Sequence, residues 1–173
     1  MKHLAIIFIF CLIGLSGNIY AQKTTKFSSL YTNLDKDCKA IGGGDGQDEA
    51  SDCKGVAGYR IYISPSATTL SITAQTPKKK DSIPLAMQGF DFDSKKHNIE
   101  WRLANGKPFA VIIRVFKYGE TDENNPYIGK KIGEELKIVG LKGFDKIDFT
   151  VDAKTPNANA KAREMADTAY KQK

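Results

Sequence analysis

A chain of 173 residues that is 41% hydrophobic and 27% charged is long enough to build one domain with its own core, and too apolar for a disordered segment. Its 26 Lys and Arg against 20 Asp and Glu give a net charge of +6, but the surplus is spread thinly, and the one basic run, Lys78-Lys79-Lys80, is followed at once by Asp81. A nucleic-acid surface needs a continuous basic stripe with aromatic or helical readers, so nucleic acid is not an expected partner.

At the N-terminus Lys2 and His3 precede an apolar run from Leu4 to Leu15, and small residues lead to Ile19-Tyr20-Ala21. This is the pattern of a signal peptide, residues 1–21, cleaved after Ala21. The apolar run falls short of the roughly 20 residues that span a bilayer, and no later stretch forms a transmembrane segment. Residues 22–173 are then a single domain placed in the periplasm or secreted. Cys11 is lost with the leader, which leaves Cys38 and Cys53. In an oxidising compartment such a pair predicts a disulfide, and it would staple the first strand to the one beginning near Gly58. A metal centre would need more ligands than two cysteines and the one histidine left, His97.

Phe27, Leu30, Leu34, Cys38 and Ile41 fit helical spacing, yet Ser28, Ser29, Thr32 and Asn33 favour extended segments around Leu30 to Leu34 and Cys38 to Ile41. Gly42 to Asp52 reads as a flexible loop. Its Asp45, Asp48, Glu49 and Asp52 suggest Ca²⁺, but their spacing departs from the EF-hand pattern and a solvated loop is expected. Tyr59, Ile61 and Ile63, a turn at Pro65-Ser66, and Leu70, Ile72 and Ala74 form a hairpin. Ile83 to Phe92 predicts a strand with a bulge or bend at Gly89.

His97 to Ala104 alternates cleanly, Asn105-Gly106 suits a type I′ turn, and Lys107 to Tyr118 is apolar on both sides. A two-residue loop then pairs Leu103 with Pro108, Trp101 with Ala110, Ile99 with Ile112 and His97 with Arg114. The second strand should lie centrally in its sheet. Ile99, Trp101, Leu103, Ala110 and Ile112 are the predicted structural core. Tyr127 to Ile132 and Leu136 to Leu141 are strand candidates separated by Gly133, and Ile147, Phe149 and Val151 mark another. From about Pro156 the period changes to helical, with a small apolar side of Ala158, Ala162, Met165, Ala166 and Ala169. The expected fold is mainly β: an antiparallel sandwich or small barrel of about seven or eight strands, with a C-terminal α-helix on the sheet and one disulfide.

Nucleophilic catalysis needs a nucleophile, a base and a group that orients the base. His97 is the one imidazole base, and a packed strand end accounts for it. Ser51-Asp52-Cys53-Lys54 matches Ser-x-x-Lys in a loop that would not hold it still. Asp91 and Asp93 share a strand face, which does not place two carboxylates across a cleft. No catalytic, cofactor-binding or metal-binding residue is therefore expected.

Cys38, Cys53-Lys54-Gly55-Val56-Ala57-Gly58-Tyr59, Glu100-Trp101-Arg102, Gly106-Lys107-Pro108 with Ala110, Ile112 and Arg114, and Asn157-Ala158-Asn159 with Ala162-Arg163 and Ala166-Asp167 are a further pattern. From about Tyr31 to Asp167 it resembles a group of uncharacterised exported bacterial proteins. The resemblance implies export and a structural role for these motifs, and it carries over no known activity or functional residue. The expected function is a non-enzymatic binding or interaction protein of the bacterial envelope, for a protein, glycan or small-molecule ligand. The alternatives are an inhibitor of a secreted hydrolase, presenting Ser64 to Thr68, Gln75 to Ser82 or Gly119 to Pro126, and a hydrolase with an unrecognised site.

Overall fold

Ten strands and one α-helix follow from these patterns among the described residues of a computed structural model, which are 24–42, 49–78, 81–121, 123, 126 and 128–173. In chain order they are β1 (Phe27–Asn33), β2 (Cys38–Ile41), β3 (Ala50–Lys54), β4 (Arg60–Pro65), β5 (Thr69–Gln75), β6 (Ser82–Gly89), β7 (Asn98–Ala104), β8 (Lys107–Tyr118), β9 (Lys131–Gly140), β10 (Asp148–Asp152) and α1 (Ala158–Lys171). One antiparallel sheet has the order β1-β7-β8-β9-β10 and the other β2-β3-β4-β5-β6. The two pack face to face as a sandwich, not as a closed barrel, and α1 covers the outer face of the first sheet. The predicted central place of Lys107 to Tyr118 is the place β8 takes. The proposed leader lies outside the described residues. No helix among the described residues is long and apolar enough to cross a membrane.

Two cores result. Between the sheets Ile61, Ile72, Leu85, Phe92, Ile99, Trp101, Val111 and Ile113 are fully enclosed. Between the first sheet and α1 lie Phe109, Ala110, Ile112, Leu136 and Ile138 against Ala158, Ala162 and Ala166. The alanines explain the helix's close seat: a face without bulk lets its axis approach the sheet, and larger residues come from the strands.

The hairpin register differs from the regular one. Leu103 pairs with Pro108, but Arg102 pairs with Ala110, Trp101 with Val111 and Ile99 with Ile113, so Phe109 is an extra residue in a bulge. Trp101 therefore faces inward with Val111 and Ile113, while Ala110 and Ile112 face α1. All five predicted core residues are buried, in two layers and not one. Because β8 is apolar on both sides, a slip of one residue costs no burial in its own pattern. The bulge instead turns Phe109 toward Phe27, Phe144 and Tyr170, whose ring centroids lie 4.8–5.9 Å from its own.

His97 precedes β7 and does not pair with Arg114; its ring stacks on Phe92 at 4.2 Å. At Gly89 β6 ends in a turn, Phe92 donating to the Gly89 carbonyl, so the expected bend is there; a bulge lies four residues earlier, where Ile72 pairs with Ala86 and Thr73 with Pro84, leaving Leu85 extra. Pro84 has no N–H to give, and β6 is an edge strand, where that loss is tolerated. Gly133 does not separate two strands but sits inside β9, beside a bulge at Ile132. Helix α1 starts two residues later than Pro156, because Asn157 takes a left-handed φ of 57° and Thr155 accepts the N–H of Ala158 in a turn.

Cys38 and Cys53 form the disulfide, as direct register partners of β2 and β3. It does not staple β1 to the strand near Gly58, because Ala50–Lys54 is itself a strand. That segment carries little apolar signal, and its partners β2 and β4 on either side impose the extended form. A chain of residues 22–173 is expected to show no titratable thiol in denaturant before reduction, and to lose about 3 kcal/mol of stability when reduced. Two free thiols per unreduced chain would contradict the pairing.

Candidate functional site

One concavity among the described residues follows from the shape of α1. Its alanines sit on the sheet's middle strands, while Met165, Thr168, Ala169 and Gln172 look toward β10. Strand β10 alternates, so Phe149 and Val151 share the helix-facing side and Asp148, Thr150 and Asp152 the other. Because α1 does not reach over the sheet's edge, a groove opens between it and β10. It has two adjoining hollows of about 520 and 400 Å³ that share Phe149, Ala169 and Gln172.

The turn between β9 and β10 closes one end. Gly140 donates to the carbonyl of Ile147, and Phe144 and Ile147 bond to the carbonyls of Leu141 and Phe144. A Cβ on Gly140 would collide with the Phe144 carbonyl oxygen, so this turn requires glycine there. The folded-back turn stacks Phe144 on Tyr170 at 5.3 Å, with the Lys173 ammonium 4.0 Å from the Phe144 ring centroid. The groove thus has an aromatic and aliphatic floor with Lys146, Lys161, Glu164 and Gln172 at its rim. Such a surface can bury apolar groups and orient them by a few polar contacts.

A second cleft, about 360 Å³, lies at the other end of α1 and is polar, with Tyr31, Asn98, Glu100, Arg114 and Arg163 in its lining. Its charges are matched internally. Arg163 bonds Glu100 through Nε at 2.7 Å and Nη2 at 3.1 Å, and Arg114 lies 3.6 Å from Glu134. The Lys131 ammonium, chiefly, and Arg114 hold the Glu134 carboxyl below the usual carboxylate range. A charged ligand would have to break these pairs.

His97 borders that cleft without a partner for base chemistry. Burial, first of all, pushes its pKa down, and the neighbouring Arg114 and Lys131 act in the same direction against Glu134 and Asp93. Its stacking between Phe92 and the edge of Phe116 agrees with the structural role read from the sequence. Asp91 and Asp93 share no strand face, since β6 ends at Gly89; Asp91 accepts the Tyr118 hydroxyl at 2.7 Å, and burial and that carboxylate push the phenol up to about 12. In the acidic loop Asp45 and Asp48 lie outside the described residues, and Asp52 lies in β3 paired with Arg60 at 2.5 Å. Of the candidate inhibitor loops, Ser66 and Thr69 close the first turn by mutual bonds, and parts of the other two lie outside the described residues.

The groove residues were not singled out in the sequence. Met165, Ala169, Ile147 and Phe149 read there only as apolar sides of a helix and a strand. The available signal was Phe144, a large aromatic inside the turn-forming stretch Lys142-Gly143-Phe144-Asp145, where a merely solvated loop has no use for one.

These features define a disulfide-bonded β-sandwich with a helix-covered sheet and an apolar groove at one edge. No family model matches the chain, and no curated protein or solved structure shows significant similarity to it.

Proposed function

We propose that this chain is an exported, non-enzymatic binding protein of the bacterial envelope, and that it takes its ligand in the groove between α1 and β10. The observation that carries the reading is the groove itself, two joined hollows floored by Phe144, Phe149 and Met165 at the open edge of a rigid sheet. Evolved cores close such space, and a groove that keeps aromatic side chains partly exposed fits a surface made to be covered. The Cys38–Cys53 disulfide agrees with an oxidising compartment, periplasmic or extracellular, and with the signal peptide read in residues 1–21.

The test is NMR titration of ¹⁵N-labelled residues 22–173 with a panel of aromatic and aliphatic small molecules, short oligosaccharides and peptides. Shifts should cluster on Phe144, Phe149, Met165 and Ala169, and Ala169→Arg, which fills the hollow from a partly exposed position, should remove them. Binding elsewhere, or turnover of ester, glycoside or peptide substrates by the isolated chain, would contradict the reading. Capture of one secreted hydrolase with loss of its activity would favour the inhibitor.

A further inference from the structure

We infer that the partner at this edge is an extended peptide of alternating basic and apolar residues, which adds to β10 as a sixth strand. The inference rests on the groove being the binding site and names what enters it.

Strand β10 ends its sheet, and its peptide groups have a fixed parity. Gly140 donates to Ile147 and Ala153 donates to Glu134, so Ile147, Phe149, Val151 and Ala153 turn their backbone groups toward β9. The N–H and C=O groups of Asp148 and Thr150, and the N–H of Asp152, point out of the sheet. The Asp152 carbonyl is taken by Thr155. These five groups offer an incoming strand a short ladder.

The two faces beside that ladder differ in chemistry. On the helix side, alternate residues of the added strand would fall against Phe149, Met165 and Ala169, which calls for apolar side chains. On the other side the second sheet does not enclose β10: β6 lies against β8 and β9, and Asp148, Thr150 and Asp152 are all exposed. Glu135 of β9 is the register partner of Asp152, and Lys137, the partner of Thr150, is the one cation among them. Three carboxylates against one ammonium call for Lys or Arg at the intervening positions.

The same charges argue against a second copy of the chain. Antiparallel pairing of β10 with itself about Thr150 would set Asp148 directly opposite the copy's Asp152, twice in each dimer, and like charges directly opposite are destabilising. An acidic edge of this kind blocks self-association while leaving the backbone available to a basic strand.

The experiment uses residues 22–173 and the blocked peptide Lys-Val-Lys-Val-Lys-Val-Lys, with Glu-Val-Glu-Val-Glu-Val-Glu and the Lys-Val peptide N-methylated on every inner backbone nitrogen as comparisons. Expected are saturable shifts and slowed hydrogen exchange at the amides of Asp148, Thr150 and Asp152, and binding roughly tenfold weaker for the Glu peptide from reversal of its charge pairs. The N-methylated peptide, which has no inner N–H to give to the Asp148 and Thr150 carbonyls, should not bind. The double variant Asp148→Lys with Asp152→Lys should reverse the preference between the Lys and Glu peptides. If all three peptides bind equally, or apolar small molecules fill the groove while the β10 amides never respond, strand addition is wrong and the groove still stands as the site. If neither small molecules nor peptides perturb the groove, both readings fall. A dimer joined through β10 in sedimentation would make the occupant a second copy and overturn the basic-peptide assignment.

Discussion

Trp101→Ala is expected to lower the unfolding free energy by about 3–5 kcal/mol, measured by urea denaturation of the disulfide-intact chain. The only tryptophan is 0% exposed, and neighbours from several elements hold it. Its indole N–H donates to the Thr32 hydroxyl at 2.9 Å, and that hydroxyl in turn donates to the Lys54 carbonyl at 2.9 Å. The Tyr59 ring lies 5.7 Å away. Beneath it Gly55 leaves no room for a side chain, since a Cβ there would approach the Tyr59 carbonyl oxygen to 2.5 Å and the indole to 2.9 Å. Truncation therefore loses a large burial and leaves a cavity that a two-sheet frame cannot collapse around. Trp101→Phe, which keeps most of the packing and drops one hydrogen bond, should cost clearly less, and Gly55→Ala should cost about 1–3 kcal/mol through overpacking. The native indole should emit as a buried chromophore and resist acrylamide. A water-exposed emission, with Trp101→Ala folding normally, would show that this face is not core.

The segment Cys53 to Tyr59 shows how much of this was legible. In the sequence it stood only as part of a motif pattern ahead of a strand; in the structure it is a turn, in which Gly55 donates to Tyr59, Tyr59 donates to Val56, and Ala57 and Gly58 both take positive φ. What the residues could not give was the object they surround, because Trp101 lies far along the chain. Alternation located Trp101 in a strand and gave its side of that strand. It could not fix the register against β8, since Ala110, Ile112 and Val111, Ile113 are equally apolar alternations and only the bulge at Phe109 decides between them. The fold class was readable because most strands alternate. The count of strands was not, because Ala50–Lys54 is held extended by its neighbours and Gly133 lies within a strand it was expected to end.

The groove was illegible for a different reason. It is made by what α1 fails to cover, and coverage depends on where the helix sits across the sheet. The sequence gives the alanine side of α1 but not the strands beneath it. Placement is set by charges that were visible only as part of a motif pattern, Glu100 and Arg102 two apart on a strand and Arg163 and Asp167 four apart on a helix. Those spacings bring each pair to one face of its element. Nothing in the sequence joins them, yet in the structure they interlock: Arg163 meets Glu100, Arg102 meets Asp167, and Ser29 of β1 donates to Glu100 while accepting from Arg102.

Asp167→Ala is accordingly expected to cost about 3–5 kcal/mol, because it strands a buried guanidinium. The Arg102 side chain is only 7% exposed, and its Nη2 bonds both Asp167 oxygens, at 2.8 and 2.6 Å, with Nε adding a third contact at 3.1 Å. Without the carboxylate only the Ser29 hydroxyl remains of these side-chain partners. Arg163→Ala should cost less, about 1.5–3 kcal/mol, although it too removes a bidentate partner. Glu100 is as buried as Arg102, but the Arg163 side chain that covers it is 39% exposed against 19% for Asp167, so its removal opens Glu100 to water in the polar cleft, and Ser29 still serves it. Replacing Arg102 and Asp167 together by Met and Leu removes both charges and should recover most of the stability lost in Asp167→Ala. Urea denaturation of the three variants, followed by Trp101 fluorescence and by circular dichroism of α1, measures the order. If Arg163→Ala proves the more damaging, or Asp167→Ala stays within about 1 kcal/mol of the parent chain, a range ordinary for exposed ion pairs, then the pair does not hold the helix and the groove beside it is not positioned by these charges.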